Sequence, residues 1–435
     1  MPKTLTFRRG LSSVLFWSII SAAFIGPGTV ATAAKAGASF QLQLCWALAF
    51  SILATIVLQE AAARITLASG KSLGAIVAAQ YPAVLGKRIR WALFLAVAFG
   101  CAAYQAGNLL GAVSGLMLVS SVPYEVLLLS IGGISIGLLW QGSTQNITRL
   151  LAIVVAIMGF AFIGTAIFQH DYSLEQVALN TLNVSIPEGG SLLVIGLIGT
   201  TIVPYNLFLA SGISQGQSLS EMRWGISLAI LIGGIISIAI LITGTQVEET
   251  FTFEALSDAV EQKLGAHTGL LVAFGLFAAG LSSAVTAPFA AAITARGLLE
   301  ADGVNWSPRS RNFRLVWAII MGIGLLFGLL NVKPIPAIIL AQAINGILLP
   351  LVVAFLVLAI NDRRLLAAQY TNVAWQNLLA LLIFTITCFL GVNNLWKAAS
   401  ATFPDWIGEP YLLANLGLSL GITFVIAWKV YSQQR

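Results

Sequence analysis

Two helix-breaking motifs, each set in the middle of an apolar run, carry most of the chemistry this sequence offers. The first is Ile25-Gly26-Pro27-Gly28-Thr29; the second is Gly199-Thr200-Thr201-Ile202-Val203-Pro204-Tyr205-Asn206. Proline removes a backbone donor and glycine relaxes the helix, so each run is expected to unwind, exposing carbonyls from one half-helix and amides from the other. The hydroxyls of Thr29, Thr200, Thr201 and Tyr205 lie beside the breaks, and Gln342 and Asn345, three apart, share one side of a later helix. Dipoles, hydroxyls and amides of this kind bind small ions. They do not make an enzyme, since no nucleophile–base pair and no glycine-rich phosphate loop is visible. Cys45, Cys101 and Cys388 lie inside apolar runs without CxxC spacing, and His170 and His267 fall at the ends of runs. Neither disulfides nor a Cys- or His-ligated metal is indicated, and no cofactor is expected. Glu60 is the one carboxylate inside an expected span, and Arg64, one turn on, is its expected partner.

Membrane helices must position these groups. The 435 residues are 58% hydrophobic and 9% charged, about a third of the charge of a soluble domain, and the mean hydropathy is +0.93. Charge-free stretches run over 10–34, 36–59, 91–124, 126–148, 150–170, 189–220, 224–247, 264–295, 315–332, 334–361, 365–396 and 410–428. Each is long enough to cross about 30 Å of hydrocarbon as a helix. None shows the alternation of barrel strands, so the expected fold is an all-α membrane protein of about 12 transmembrane helices, forming a single transmembrane domain over 1–435. Lys3, Arg8 and Arg9 ahead of Ser21, Ala22 and Ala23 imitate a signal peptide, but the run continues to Ala34 as a first span.

With a cytoplasmic amino terminus, every lysine and arginine except Lys35, Lys263, Lys333 and Lys397 falls on the inner side. The positive-inside rule then places both termini in the cytoplasm, in a bacterial plasma membrane. The net charge of +6 is a topology signal rather than a nucleic-acid footprint. The bilayer is the expected surrounding, and no nucleic acid or obligatory protein partner is indicated. Residues 72–86 are apolar but short, and are expected to form an interfacial helix. Each break opens a block of about five spans, which implies two inverted repeats over about 10–170 and 189–361, followed by two extra helices over about 365–431.

At these motifs the chain resembles the Nramp family of proton-coupled divalent metal transporters, which have the LeuT-type fold. That family typically carries Asp-Pro-Gly-Asn and then Ala-Gly-Ala in its first helix, and Met-Pro-His-Asn in its sixth. Here the corresponding residues are Gly26-Pro27-Gly28-Thr29, Ala36-Gly37-Ala38 and Val203-Pro204-Tyr205-Asn206, with further matches at Leu58-Gln59-Glu60 and Gly280-Leu281-Ser282-Ser283. The departures fall on the chemistry. Gly26 and Thr29 stand where the resemblance implies metal-binding Asp and Asn, Val203 where it implies Met, and Tyr205 where it implies His. Gln105 and Asn108 stand at the positions of an acidic proton route.

A desolvated soft or borderline divalent cation is poorly compensated by such neutral groups. The positive ends of half-helices at a site without its carboxylate favour an anion instead, each worth about half an elementary charge. The sequence-based expectation is therefore uptake of a small inorganic or organic anion, bicarbonate foremost, at Gly26, Pro27, Gly28, Thr29, Thr200, Thr201, Val203, Tyr205, Gln342 and Asn345. Entry against a negative interior needs a coupled cation. By resemblance to LeuT-type sodium symporters, that ion is expected to be Na+, held at Gly26, Ser282, Ser283 and Thr286. The alternative is divalent cation transport of Nramp type, with Mn2+ or a hard, partly hydrated ion such as Mg2+ as the cargo.

Overall fold

The computed structural model describes residues 25–434 apart from 82, 142–144, 169–170, 214–217, 249, 301–304, 331 and 403–410. The expected first half of the first span, residues 10–24, lies outside the described residues, as does His170. All regular structure among the described residues is helical: α1 (Pro27–Phe40), α2 (Cys45–Ser69), α3 (Leu73–Gln80), α4 (Ala83–Met117), α5 (Tyr124–Gln141), α6 (Gln145–Phe168), α7 (Leu174–Leu182), α8 (Ser191–Thr201), α9 (Pro204–Ile213), α10 (Leu219–Gly244), α11 (Phe253–Leu264), α12 (Gly269–Leu299), α13 (Arg311–Leu329), α14 (Pro334–Ile360), α15 (Ala374–Thr402) and α16 (Tyr411–Gln434), with two short 3-10 turns. Among the described residues, ten runs are long and apolar enough to span a membrane. The first of these, Pro27–Ser69, joins α1 and α2 through a 3-10 turn, and α6 contributes a shorter apolar stretch over Val155–Phe168.

The local reasons are read directly from the residues. Proline at the first position starts α1 and α14, where its missing donor costs nothing. Ser72, Ser173, Ser218, Thr252 and Ser310 cap α3, α7, α10, α11 and α13 through their hydroxyls. With lipid as solvent, close backbone approach replaces hydrophobic exclusion as the source of helix association. Gly37 meets the Leu241 carbonyl, Gly244 meets Ala34, and Gly115 meets the backbone of α12 at Ala273 and Phe277. Long α12 packs most extensively against α4, and α14 packs against both α4 and α8, so the two broken segments are enclosed.

One expectation about placement is corrected. Residues 72–86 do not form a single interfacial helix: α3 ends at Gln80, and Ala83 already begins α4. Leu73, Gly74, Ile76 and Val77 are buried, because Gly74 lets α3 dock onto the backbone of Gly297 in α12.

Candidate functional site

The second break forms as its residues require. Helix α8 ends at Thr201, Ile202 and Val203 are non-helical, and α9 restarts at Pro204. The last carbonyls of α8, a partial negative charge, thus lie beside the first amides of α9, a partial positive one. At the first break Gly26 is extended (φ −100°, ψ −179°) and its carbonyl accepts from the amides of Thr29 at 3.0 Å and Val30 at 3.2 Å.

Neutral polar side chains converge on these breaks from α4, α12 and α14. A Cβ at Gly26 would lie 3.2 Å from Ser283 Oγ and 3.9 Å from Asn108 Oδ1, so α12 and α4 both reach it. A Cβ at Gly28 would overlap the Gln342 amide, which α14 lays across the start of α1. The hydroxyls of Thr29 and Thr200 are hydrogen-bonded at 2.9 Å and tie the two breaks together. Tyr104 donates to the Gly199 carbonyl at 2.6 Å and meets Tyr205 edge to face, with centroids 5.7 Å apart.

Several of these groups are buried without a partner: Ser283 Oγ, Asn108 Nδ2, Gln342 Oε1, Tyr205 OH, Thr32 Oγ1 and both amide atoms of Asn206. Each such group costs about 1–3 kcal/mol. A concentration of them around two unwound segments is the signature of a site waiting for a ligand rather than of a core. Among the described residues no three His, Cys, Asp or Glu side chains come together to hold a metal. The donor set is oxygen and neutral nitrogen.

The structure separates residues that spacing alone had grouped. Of the hydroxyls expected on α12, Ser283 reaches the break, whereas Thr286 donates back to the Ser282 carbonyl at 2.9 Å. Thr201 does the same to Leu197 at 3.0 Å. Asn345 is bound to the carbonyls of Gly100 and Ala341 at 3.0 and 3.1 Å, which ties α14 to α4 and removes it from the cavity. Gln105 turns toward α13, with Nε2 3.1 Å from Met321 Sδ and its stem on Gly324, while Asn108 stays at the break. Val203 is buried and apolar. Thr32 and Tyr104 belong to the site and were not singled out from the sequence; a buried Thr one turn after Thr29 was the available signal for the first.

Away from the breaks, Glu60 pairs with Arg64 at 2.9 Å as expected, and also with Arg223 at 2.8 Å. Arg64 in addition donates to the Tyr370 and Thr371 carbonyls and to Asn372 Oδ1. The group fastens α2 to α10 and to the chain before α15.

Residues 18–397 match the family described as "Natural resistance-associated macrophage protein-like", or Nramp. The chain belongs to the Nramp family. The "Divalent metal cation transporter MntH" of Verminephrobacter eiseniae is 23% identical over 389 residues, covering 84% of this chain and 86% of the relative. The solved structure of the Eremococcus coleocola manganese transporter superposes with a TM-score of 0.75 at 18% identity, covering 100% of this chain and 96% of the other. Mhp1, a nucleobase-cation-symport-1 family transporter, gives 0.56 at 16% identity, covering 97% and 95%. The fold is accordingly LeuT-type, and the chain is an integral membrane protein of a transporter family.

Membership of the Nramp family corrects the expectation of sodium-coupled uptake of bicarbonate or another small anion, because the family and its curated relative stand for divalent metal cations. The same finding corrects the partners expected with it, an anion and Na+. The physical reason lies at the second break. The expectation gave weight to the positive half-helix ends, whereas the negative end of α8 and a set of carbonyl and amide oxygens meet there too.

Proposed function

We propose that this chain is a secondary transporter of a divalent metal cation, of the hard type that Mg2+ represents. The observation that carries this reading is the Nramp match over residues 18–397, with a relative named as a divalent metal cation transporter aligned along most of the chain. The neutral site supports the choice among cations. Borderline ions such as Mn2+ gain most from carboxylate, imidazole or sulfur ligands, and Gly26, Val203 and Tyr205 supply none of these. Mg2+ gives up its waters reluctantly and usually keeps several of them. A partly hydrated ion needs acceptors for its bound waters more than it needs direct anionic ligands. Gln342 Oε1, Ser283 Oγ, Asn206 Oδ1 and the terminal carbonyls of α8 are such acceptors, and Thr29 and Thr200 hold the two breaks in register around them.

In this reading the two repeats span about 10–170 and 189–361, and the cargo sits where their broken helices meet. The charge asymmetry of the loops supports a bacterial plasma membrane with both termini in the cytoplasm. The test is uptake into proteoliposomes that enclose a magnesium-sensitive or a manganese-sensitive dye. Saturable Mg2+ entry, with Mn2+ a weak competitor, is the expected result. No movement of Mg2+, Mn2+ or Ca2+ above that in protein-free vesicles, from monodisperse protein, would overturn the assignment.

A further inference from the structure

A cavity of about 560 Å3 lies away from both breaks, between the end of α3, the end of α14 and the last turns of α16. Three cations line it: Arg363, Arg364 and Lys429. The carboxylate beneath them, the fully buried Asp362, is used up locally. Arg364 binds it through Nη2 at 2.6 Å, Nε at 2.9 Å and its own backbone amide at 3.0 Å, and Gln80 Nε2 adds a fourth bond at 3.1 Å. Arg363 and Lys429 are exposed and have no carboxylate partner among the described residues. The cavity therefore holds two uncompensated positive charges.

A further observation narrows the occupant. Over the same last turns, a different face of α16 is apolar and exposed: Phe424 is 69% exposed, Trp428 64% and Tyr431 50%, and the Trp428 and Tyr431 rings lie 6.5 Å apart. Aromatic residues of this kind mark the level of lipid headgroups, and basic pockets between helices at that level suit anionic headgroups.

We infer that this cavity binds the headgroup of one anionic phospholipid, its phosphate between Arg363 and Lys429. The proposal is independent of the cargo. It is tested by native mass spectrometry of the whole protein titrated with phosphatidylglycerol, phosphatidic acid and phosphatidylcholine, with inorganic phosphate as competitor. Phosphatidylglycerol is expected to bind in preference to phosphatidylcholine. The double variant Arg363→Gln/Lys429→Gln should weaken it about thirtyfold, a factor of about five for each basic residue at an anionic surface. Phosphatidic acid should bind as phosphatidylglycerol does, and Lys71→Gln/Lys263→Gln, which removes two other exposed cations, should leave binding within about twofold. Both altered residues of the test variant are exposed, and an unchanged melting temperature verifies its fold. Equal weakening in the control variant, equal binding of phosphatidylcholine, or displacement of the lipid by inorganic phosphate would refute the site.

Discussion

The closest approach in the site, between Gly28 and the Gln342 amide, gives the sharpest test of which groups face the cargo. Gly28→Ala would place a methyl group against Gln342 Nε2 and Cδ, and 3.0 Å from Oε1. Ordinary contact is about 3.5–4.0 Å, so the amide has to retreat by about an ångström or more. It is the far end of a flexible side chain, and its oxygen has no partner to lose, so the fold should yield at a cost within about 1 kcal/mol. Displacing a ligand or outer-sphere acceptor costs the cargo about 1–3 kcal/mol, which raises the half-saturating Mg2+ concentration about fivefold to a hundredfold. Gly37→Ala is the contrasting change: its methyl meets the Leu241 carbonyl and the Thr245 amide, backbone that cannot step aside, and should cost about 1–3 kcal/mol of stability. Uptake titrations in proteoliposomes and thermal unfolding in detergent read the two effects separately. Adding Gly28→Ala to Gln342→Ala should change little, since both act on one group. A Gly28→Ala protein with unchanged half-saturation would remove Gln342 from the cargo's path and with it the reading of α14 as a wall of the site.

Two other outcomes follow from the ion pairs. Glu60→Gln leaves Arg64, whose side chain is 4% exposed, buried without a counter-charge though still bound to three oxygens of the 370–372 segment, and should destabilise by about 2–4 kcal/mol; Arg223→Ala, at 46% exposure, should cost no more than about 1 kcal/mol, and equal melting shifts would contradict this ranking. Burial opposes ionisation of Asp362, but its bonds from Arg364 and Gln80 outweigh that and hold its pKa below the ordinary 3.8. A depressed carboxyl stabilises fully above its unfolded pKa and less as pH falls through the folded one. The stability gap between wild type and Asp362→Asn should thus be widest near neutrality and shrink below about pH 4, whereas a gap independent of pH would show that the carboxylate's charge is not what matters.

The elements were legible in the sequence because lipid imposes one strong rule, a charge-free run of sufficient length, and Pro204 announced its own break. The site was legible where a residue's environment is set by the break itself, as at Gly26, Thr29 and Thr200. It was not legible where the choice depended on which helix approaches. Gln342 and Asn345 share a helix side, yet one meets Gly28 and the other the Gly100 carbonyl. Gln105 and Asn108 are likewise three apart, and Gly324 draws the first away to α13. The burial of α3 depends on two glycines, Gly74 and Gly297, more than two hundred positions apart. The cargo was misjudged for a related reason: carbonyl and amide ends are both expected at each break, and which of them the cargo meets depends on side chains that other helices bring there, among them Gln342 and Ser283, and not on the motif alone.

The neutrality of the residues that meet at the breaks has an electrical consequence. A carrier whose described site groups hold no formal charge moves none when it returns empty, so that half of its cycle should not feel the membrane potential. With a divalent cargo aboard, the loaded step carries both charges across the field, worth about 4.6 kcal/mol at 100 mV. The voltage of the cell would then act on one direction of the cycle only, and the resting potential by itself could hold the cation more than a thousandfold concentrated inside.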